Sequence, residues 1–429
     1  MAKKYKIKRY NRIYRKNRSS RITPATLLLT VVGIGALAFL GYSLYQPVYN
    51  LLTGGYSSTI PSGSSPAPIS QSVPEQSEPV VIPEHPQQVK GIYMPPQVML
   101  DAAARTEWLD RIAGPTNVKE GVSLLDAASG VEVNTVVLDV KTSDGRILYQ
   151  SALEQVAMAG SMTANPIDLK AVIGEINARG LKVAVRMQAF RDPLAGAVLP
   201  DLAIKYVDNN WLWLDNSKEL GGKTWLNPYS TEARAYLGDI AAEVTNMGAE
   251  IVIMDSVQFP EGVGLDLARF GYDSGSVTKT DALKRFVTEV SDKVQAAGGK
   301  LYTYMTSTSL FGVNTDRYAG APAAFLGENV ALSLMPAQFG DNFESSAYTV
   351  NAPVQNPYGT VKAALEQDQL LLGSERKLLA FVQGYTASGL VNGKTYSWQE
   401  VADQIRAAKE GGVESYVIYS PDGIYPYGV

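Results

Sequence analysis

Ile251-Val-Ile-Met-Asp255-Ser-Val-Gln-Phe-Pro260 decides how the chain is read. Four apolar residues run into one carboxylate, and Phe259-Pro260 closes a short turn. The run is too short for a helix and rich in Ile and Val, which predicts a buried parallel strand. Asp255 is its first charge, at the point where the strand leaves the core. In parallel α/β folds that end of a strand is where ligands bind. Asp255 is therefore the first candidate for a functional residue. The plainer alternative is that it caps the next turn or pairs with an arginine.

Outward from this stretch, whose own strand is expected at 250–254, seven more apolar runs predict strands: 91–94, 135–140, 183–187, 301–306, 330–335, 378–383 and 415–419. Helical periods fall between them at 168–179, 231–247, 281–297, 360–371 and 398–410. Gly180, Gly248, Gly298 and Gly411-Gly412 stand at helix ends, where glycine takes the left-handed cap conformation. Helix, glycine, a few residues and an apolar strand make up the αβ half of a repeat. Eight such units in the span 89–429 predict an α/β fold, a (β/α)8 TIM barrel with insertions. A doubly wound open sheet is the alternative. No G-x-G-x-x-G follows the first strand, which argues against a dinucleotide site.

The rest of the chain sets the context. Residues 1–21 hold ten Lys and Arg and no acid. Ala25 to Leu44 carries no charge, and about 20 apolar residues span a bilayer core. The expectation is a basic cytoplasmic tail (1–24) and an uncleaved single-pass transmembrane helix (25–45), with the C-terminal domain outside the cell membrane. A Pro/Ser-rich linker (46–88) without hydrophobic period follows as a tether. The whole chain is −4, so without those ten cations the remainder is −14. An acidic exterior domain argues against nucleic acid as a partner.

Composition also limits the chemistry. There is no Cys, and the lone histidine, His85, lies in the Pro-rich stretch. Disulfides, thiolate nucleophiles, a Ser-His-Asp triad and Cys- or His-ligated metal sites are thereby excluded, and no cofactor or metal is implied. Catalysis is left to carboxylates, Lys, Arg, Tyr and amides.

The strand ends supply these groups. By the period of two, Asp139 shares a face with Lys141, and Arg186 with Gln188. Gln338, Gln383, Tyr385 and Tyr419 follow strands six to eight. Asp139, Lys141, Arg186 and Asp255 add up to a balanced network, catalytic or merely stabilising. The segment 191–230 holds Trp211, Trp213 and Trp225, three of the five tryptophans. Trp213 and Trp225 are candidates for stacking on sugar rings, or for packing the insertion. Asn227 is placed to aim an amide into the cleft.

Six motifs carry a resemblance: KGIY (90–93), VVLDVK-x-x-DG (136–145), VAVRMQAFRDP-x-A (183–195), PDLAIK (200–205), WLNPYS (225–230) and MDSVQFP (254–260). In order and spacing the region 89–429 resembles a glycoside-hydrolase-like barrel family of bacterial exported and membrane-anchored proteins. The resemblance implies a TIM barrel with a carbohydrate-type cleft and a polysaccharide or cell-wall glycan as partner. The sequence departs from the family pattern after strands four, five and six. Ser256 and Gln258 stand where it has Tyr and Arg, Ser309 where it has Asp, and Ala337-Gln338 where a Tyr is expected.

Glycoside hydrolysis needs two carboxyls. Asp255 supplies one. Asp139, Glu261, Asp341 and Asp422 are the candidates for the other, with Asp139 best placed by strand logic. Lys141 and Arg186 are expected to hold the Asp139 pKa down, as suits a base or nucleophile. Glu261 is the candidate acid. The sequence thus points to a membrane-anchored glycoside hydrolase. The alternatives are a degenerate barrel that binds glycan, or a structural, partner-binding envelope protein.

Overall fold

A computed structural model describes residues 88–113, 118–119, 121–271, 276–311, 315–320 and 322–426. The expected basic tail and transmembrane helix lie outside the described residues, as does the linker up to residue 87. Among the described residues no helix is long and apolar enough to cross a membrane.

Eight parallel strands close a barrel: β1 (Lys90–Met94), β2 (Thr135–Lys141), β3 (Lys182–Gln188), β4 (Ile251–Asp255), β5 (Lys300–Thr306), β6 (Asn329–Ser333), β7 (Lys377–Gln383) and β8 (Tyr416–Tyr419). Each pairs with the next, and β1 closes the ring by pairing with both β8 and β2. The approach at closure is tight. A Cβ at Gly91 would lie 2.9 Å from the Val417 side chain, which accounts for the glycine of the KGIY motif.

Alternation along the strands separates two cores. Tyr93, Val137, Ala184, Ile251, Ile253, Tyr302, Ala331, Leu379, Phe381 and Val417 point inward and fill the barrel. The intervening residues, such as Val136, Val185, Val252 and Ile418, join the larger layer between strands and helices. A strand buried on both faces has to be apolar throughout, so 251–254 shows no polar alternation.

Among the described residues six helices of nine residues or more accompany the strands: α1 (Ala102–Ala113), α2 (Leu169–Asn177), α3 (Thr231–Asn246), α4 (Lys279–Ala296), α5 (Pro357–Leu372) and α6 (Trp398–Glu410). Their starts follow from local chemistry. Thr278 with Asp281 and Ser397 with Glu400 form capping boxes, and Asp168 caps α2. The chain re-enters the sheet through left-handed glycines, as at Gly298 (φ 89°) and Gly412 (φ 80°).

The repeat is not perfect. β5 leads into a four-residue helix, Ser307–Leu310, and 3-10 turns, not a long helix. Between α1 and β2 the chain forms a three-stranded antiparallel sheet. The loops after β3 and β4 fold together. Lys205–Tyr206 pairs with Ala268–Arg269, Ala203 bridges Leu226, and Val207 N–H donates to Leu267 O at 2.9 Å. The motifs PDLAIK and WLNPYS are thus two sides of one insertion.

Candidate functional site

At the C-terminal ends of β2, β3 and β4 the register sets Asp139 opposite Arg186, and Gln188 opposite Asp255. All four belong to the inward-facing set. Arg186 lies between the two carboxylates. Its Nη2 and Nε donate to Asp255 Oδ2 at 2.6 and 3.2 Å, and its Nη1 stands 3.6 Å from Asp139 Oδ1. Two strand spacings and a stagger of two residues put the two aspartate Cα atoms about 12 Å apart, and both side chains lean toward the one guanidinium.

The two carboxyls live in different surroundings. Asp255 Oδ2 also accepts from Gln188 Nε2 at 3.1 Å, and Oδ1 accepts from Ser256 N–H at 2.5 Å. Ser256 holds a left-handed conformation, φ 55°, which a non-glycine residue adopts at a cost of about 1–2 kcal/mol. Its hydroxyl donates to Gln188 Oε1, so the strained turn locks the Gln188 amide and Asp255 together. Asp255 is thus fixed in place with donors on both oxygens.

Asp139 is held less. Tyr93 Oη donates to its Oδ2 at 2.7 Å, while Oδ1 is buried and accepts no hydrogen bond from a described residue. Burial pushes the Asp139 carboxyl above its ordinary value. Arg186 and the Tyr93 hydrogen bond oppose the shift, and the charge of Asp255 adds to it. Burial draws Arg186 downward, but the two aspartates outweigh it and leave the guanidinium well above its usual value.

Aromatic rings enclose the group. The Arg186 guanidinium lies 5.5 Å from the ring centroids of both Tyr304 and Tyr419, and Tyr419 packs on Tyr93 at 4.6 Å. Burial raises Tyr304 to about 12, with Ser333 and Gln338 as its polar neighbours. Tyr318, from the loop after β5, senses the charges of both Asp255 and Glu261. Sequence reasoning missed Tyr93, Tyr304, Ser256 and Tyr318. The inward parity of Tyr93 and Tyr304 was a usable signal, whereas the positive φ of Ser256 left no mark in the sequence.

Asp139, Arg186, Gln188, Asp255 and Tyr419 are therefore together. Gln338 borders them, accepting from Ser333 Oγ at 2.6 Å, and Tyr385 is half-buried near Tyr419. Other candidates are placed elsewhere. The β2–β3 register shifts between Asp139 and Lys141, so Lys141 lies opposite Met187 and turns away from the mouth. It is fully buried against Asp192 at 3.0 Å, and its expected effect on Asp139 is replaced by that of burial. Trp213 is 0% exposed with its indole N–H on Gly264 O, and Trp225 is 5% exposed with its N–H on Asp215. Their faces pack the insertion. Asn227 spends its amide on Phe270 O and Tyr229 N–H, not on the cleft. The Gln383 side chain bonds Ala337 N–H and Tyr385 O. Gln258 is buried, at 8% exposure. Glu261 pairs with Arg317 at 2.9 Å, Asp341 accepts from Asn392 N–H in the loop after β7, and Asp422 caps a turn.

A groove of about 980 Å³ lies outside the mouth. It runs along the insertion past Lys205, Tyr229, Arg269 and Phe270, and none of the Asp139–Arg186–Asp255 group lines it. The mouth remains the better candidate for chemistry because the unlike carboxyls converge there. Among the described residues no group of three His, Asp or Glu is arranged to hold a metal ion.

A family model described as "Putative glycosyl hydrolase domain" matches residues 112–425. No curated protein matches the chain. Among solved structures, the glycoside hydrolase domain of PgaB (BpsB) from Bordetella bronchiseptica superposes with a TM-score of 0.51 at 11% identity, over 79% of this chain and 95% of that one. A hypothetical protein from Ruminiclostridium thermocellum is 21% identical over 49% of this chain and 96% of its own, with a TM-score of 0.39. A beta-N-acetylhexosaminidase is 12% identical, over 79% and 67%, with a TM-score of 0.47. At these identities the PgaB match speaks for the barrel fold alone.

Proposed function

The chain belongs to the "Putative glycosyl hydrolase domain" family, and from that membership we propose that it is a membrane-anchored glycoside hydrolase acting on a cell-wall or extracellular polysaccharide. The observation that carries the proposal is the pair of unlike carboxyls on either side of Arg186 at the barrel mouth. One carboxyl raised by burial beside another held by several donors is the kind of asymmetry that acid and base roles require.

In this reading Asp139 is the acid. Burial favours the protonated form of its carboxyl, and its Oδ1, which no described donor occupies, gives that proton to the glycosidic oxygen. Asp255 is the fixed anion. It faces the positive charge that develops at the anomeric carbon, as nucleophile or as base for water. Arg186 and Gln188 orient it, and Tyr93 orients Asp139. The anchor rests on the sequence: ten cations, then a charge-free stretch of bilayer length at 25–45.

One observation favours a second reading, a barrel that binds glycan without cleaving it. Four hydrogen bonds already converge on Asp255, and Ser309 stands where the resemblance expects an aspartate. The test is a screen of the full chain against peptidoglycan, chitin and other wall glycans, with binding and cleavage scored separately. Cleavage that Asp139→Asn abolishes supports the hydrolase. Binding without cleavage supports the second reading, and neither would leave the barrel as a scaffold.

A further inference from the structure

The five tryptophans divide sharply. Trp108, Trp213, Trp225 and Trp398 are 0–7% exposed, whereas Trp211 is 76% exposed. An indole so open to water contributes nothing to a core, and its position is not left to chance. Trp211 N–H donates to Asn209 Oδ1 at 2.8 Å, and Trp211 O accepts from Tyr206 N–H at 2.9 Å. Lys205 bridges Leu212, and Arg269 Nη2 donates to Asn210 Oδ1 at 2.7 Å. The backbone on both sides of the indole is therefore tied to a hairpin that is itself paired with Ala268–Arg269.

This hairpin is continuous with the mouth. It belongs to the loop that leaves β3 just beyond Arg186 and Gln188, and its pairing partner belongs to the loop that leaves β4 just beyond Asp255. Leu226 N–H donates to Phe190 O at 3.0 Å, and Tyr229 packs on Phe259 at 5.7 Å, so both loops are stitched to the strand ends that carry the site. A polymer threaded through the mouth has to leave over the loops around it.

We propose that Trp211 is a stacking platform for a pyranose ring of the same polysaccharide, several sugars away from the bond at the mouth. The inference rests on the polysaccharide reading of the mouth. Its chemistry is simple: a flat, rigid, apolar face meets the C–H face of a sugar ring, and the ordering cost is small because the backbone is already fixed and the indole has only two χ angles to settle. The platform assigns to Trp211 the role that the buried Trp213 and Trp225 are unable to fill.

The experiment is co-sedimentation of the full chain with peptidoglycan sacculi, chitin and cellulose, alongside its affinity for disaccharides from the same polymers. Trp211→Ala is expected to weaken retention on the bound polymer about fivefold, at least three times its effect on the disaccharide. Trp211→Tyr should restore most of the loss. Equal retention of wild type and Trp211→Ala on a polymer that the wild type holds overturns the platform and leaves the mouth reading standing. A wild type that holds none of the polymers overturns both. A change of oligomeric state in Trp211→Ala, seen by sedimentation velocity, would instead assign the indole to a contact between copies and overturn the platform.

Discussion

Asp139 and Asp255 share an arginine but not a fate on mutation. Asp255 is the main partner of the Arg186 guanidinium and holds Gln188 as well. Asp255→Asn leaves a largely buried cation with only the 3.6 Å contact to Asp139, which predicts a loss of about 3 kcal/mol in urea unfolding at pH 7. Asp139 behaves in the opposite way. Its folded pKa lies above the unfolded value, so its contribution to stability is complete below the ordinary aspartate range and is lost as pH rises through the folded value. Asp139→Asn removes that loss, and stability at pH 7 should stay within about 1 kcal/mol of wild type or exceed it. Activity should separate the pair again. With Asp139 as the acid, kcat/KM falls on the alkaline side as its proton leaves, and a wild-type profile that shows no such limb would take the acid role from it.

At the scale of the element, the eight strands were legible because each is a short, largely apolar run bounded by turns, and α6 because its period runs unbroken from a Ser-x-x-Glu cap. The candidate site was legible only in part. A period of two correctly sets Arg186 and Gln188 on one face, since β3 pairs regularly with β4. The same rule fails for Lys141, because a register shift within β2 reverses the facing of the residues beyond it. Nothing in the VLDVK segment marks that irregularity. The shift has a use: Lys141 and Asp192 join the loops after β2 and β3 in a fully buried ion pair, and the left-handed Gly145 leaves room for the Asp192 carboxylate. These motif residues thus hold the scaffold. Lys141→Met should cost about 3–5 kcal/mol by leaving Asp192 buried and unpaired. Adding Asp192→Asn, which keeps the cap on Ala195 N–H, should return most of it. A single variant as stable as wild type in urea would show that the pair carries no weight.

At the scale of the whole molecule, ring closure decides what is dispensable. β1 is not an edge: it takes three register pairs from β8 and four from β2, and Val89 just before it is already buried. The Tyr425 hydroxyl, near the other end of the described chain, returns to bond Tyr93 O. The first and last described segments therefore hold each other, and the inner and outer cores are both complete between them. A fragment beginning at Gln88 should accordingly be soluble and melt in a single transition, without the basic and apolar segments that precede it. A fragment beginning at Pro95 should not. Without β1 the barrel opens, β2 and β8 each gain an unpaired edge, and Asp139 loses the Tyr93 hydroxyl. Circular dichroism melts and sedimentation of the two fragments would check this. If the shorter one melted as cooperatively as the longer, closure through β1 would not be what keeps the mouth in shape.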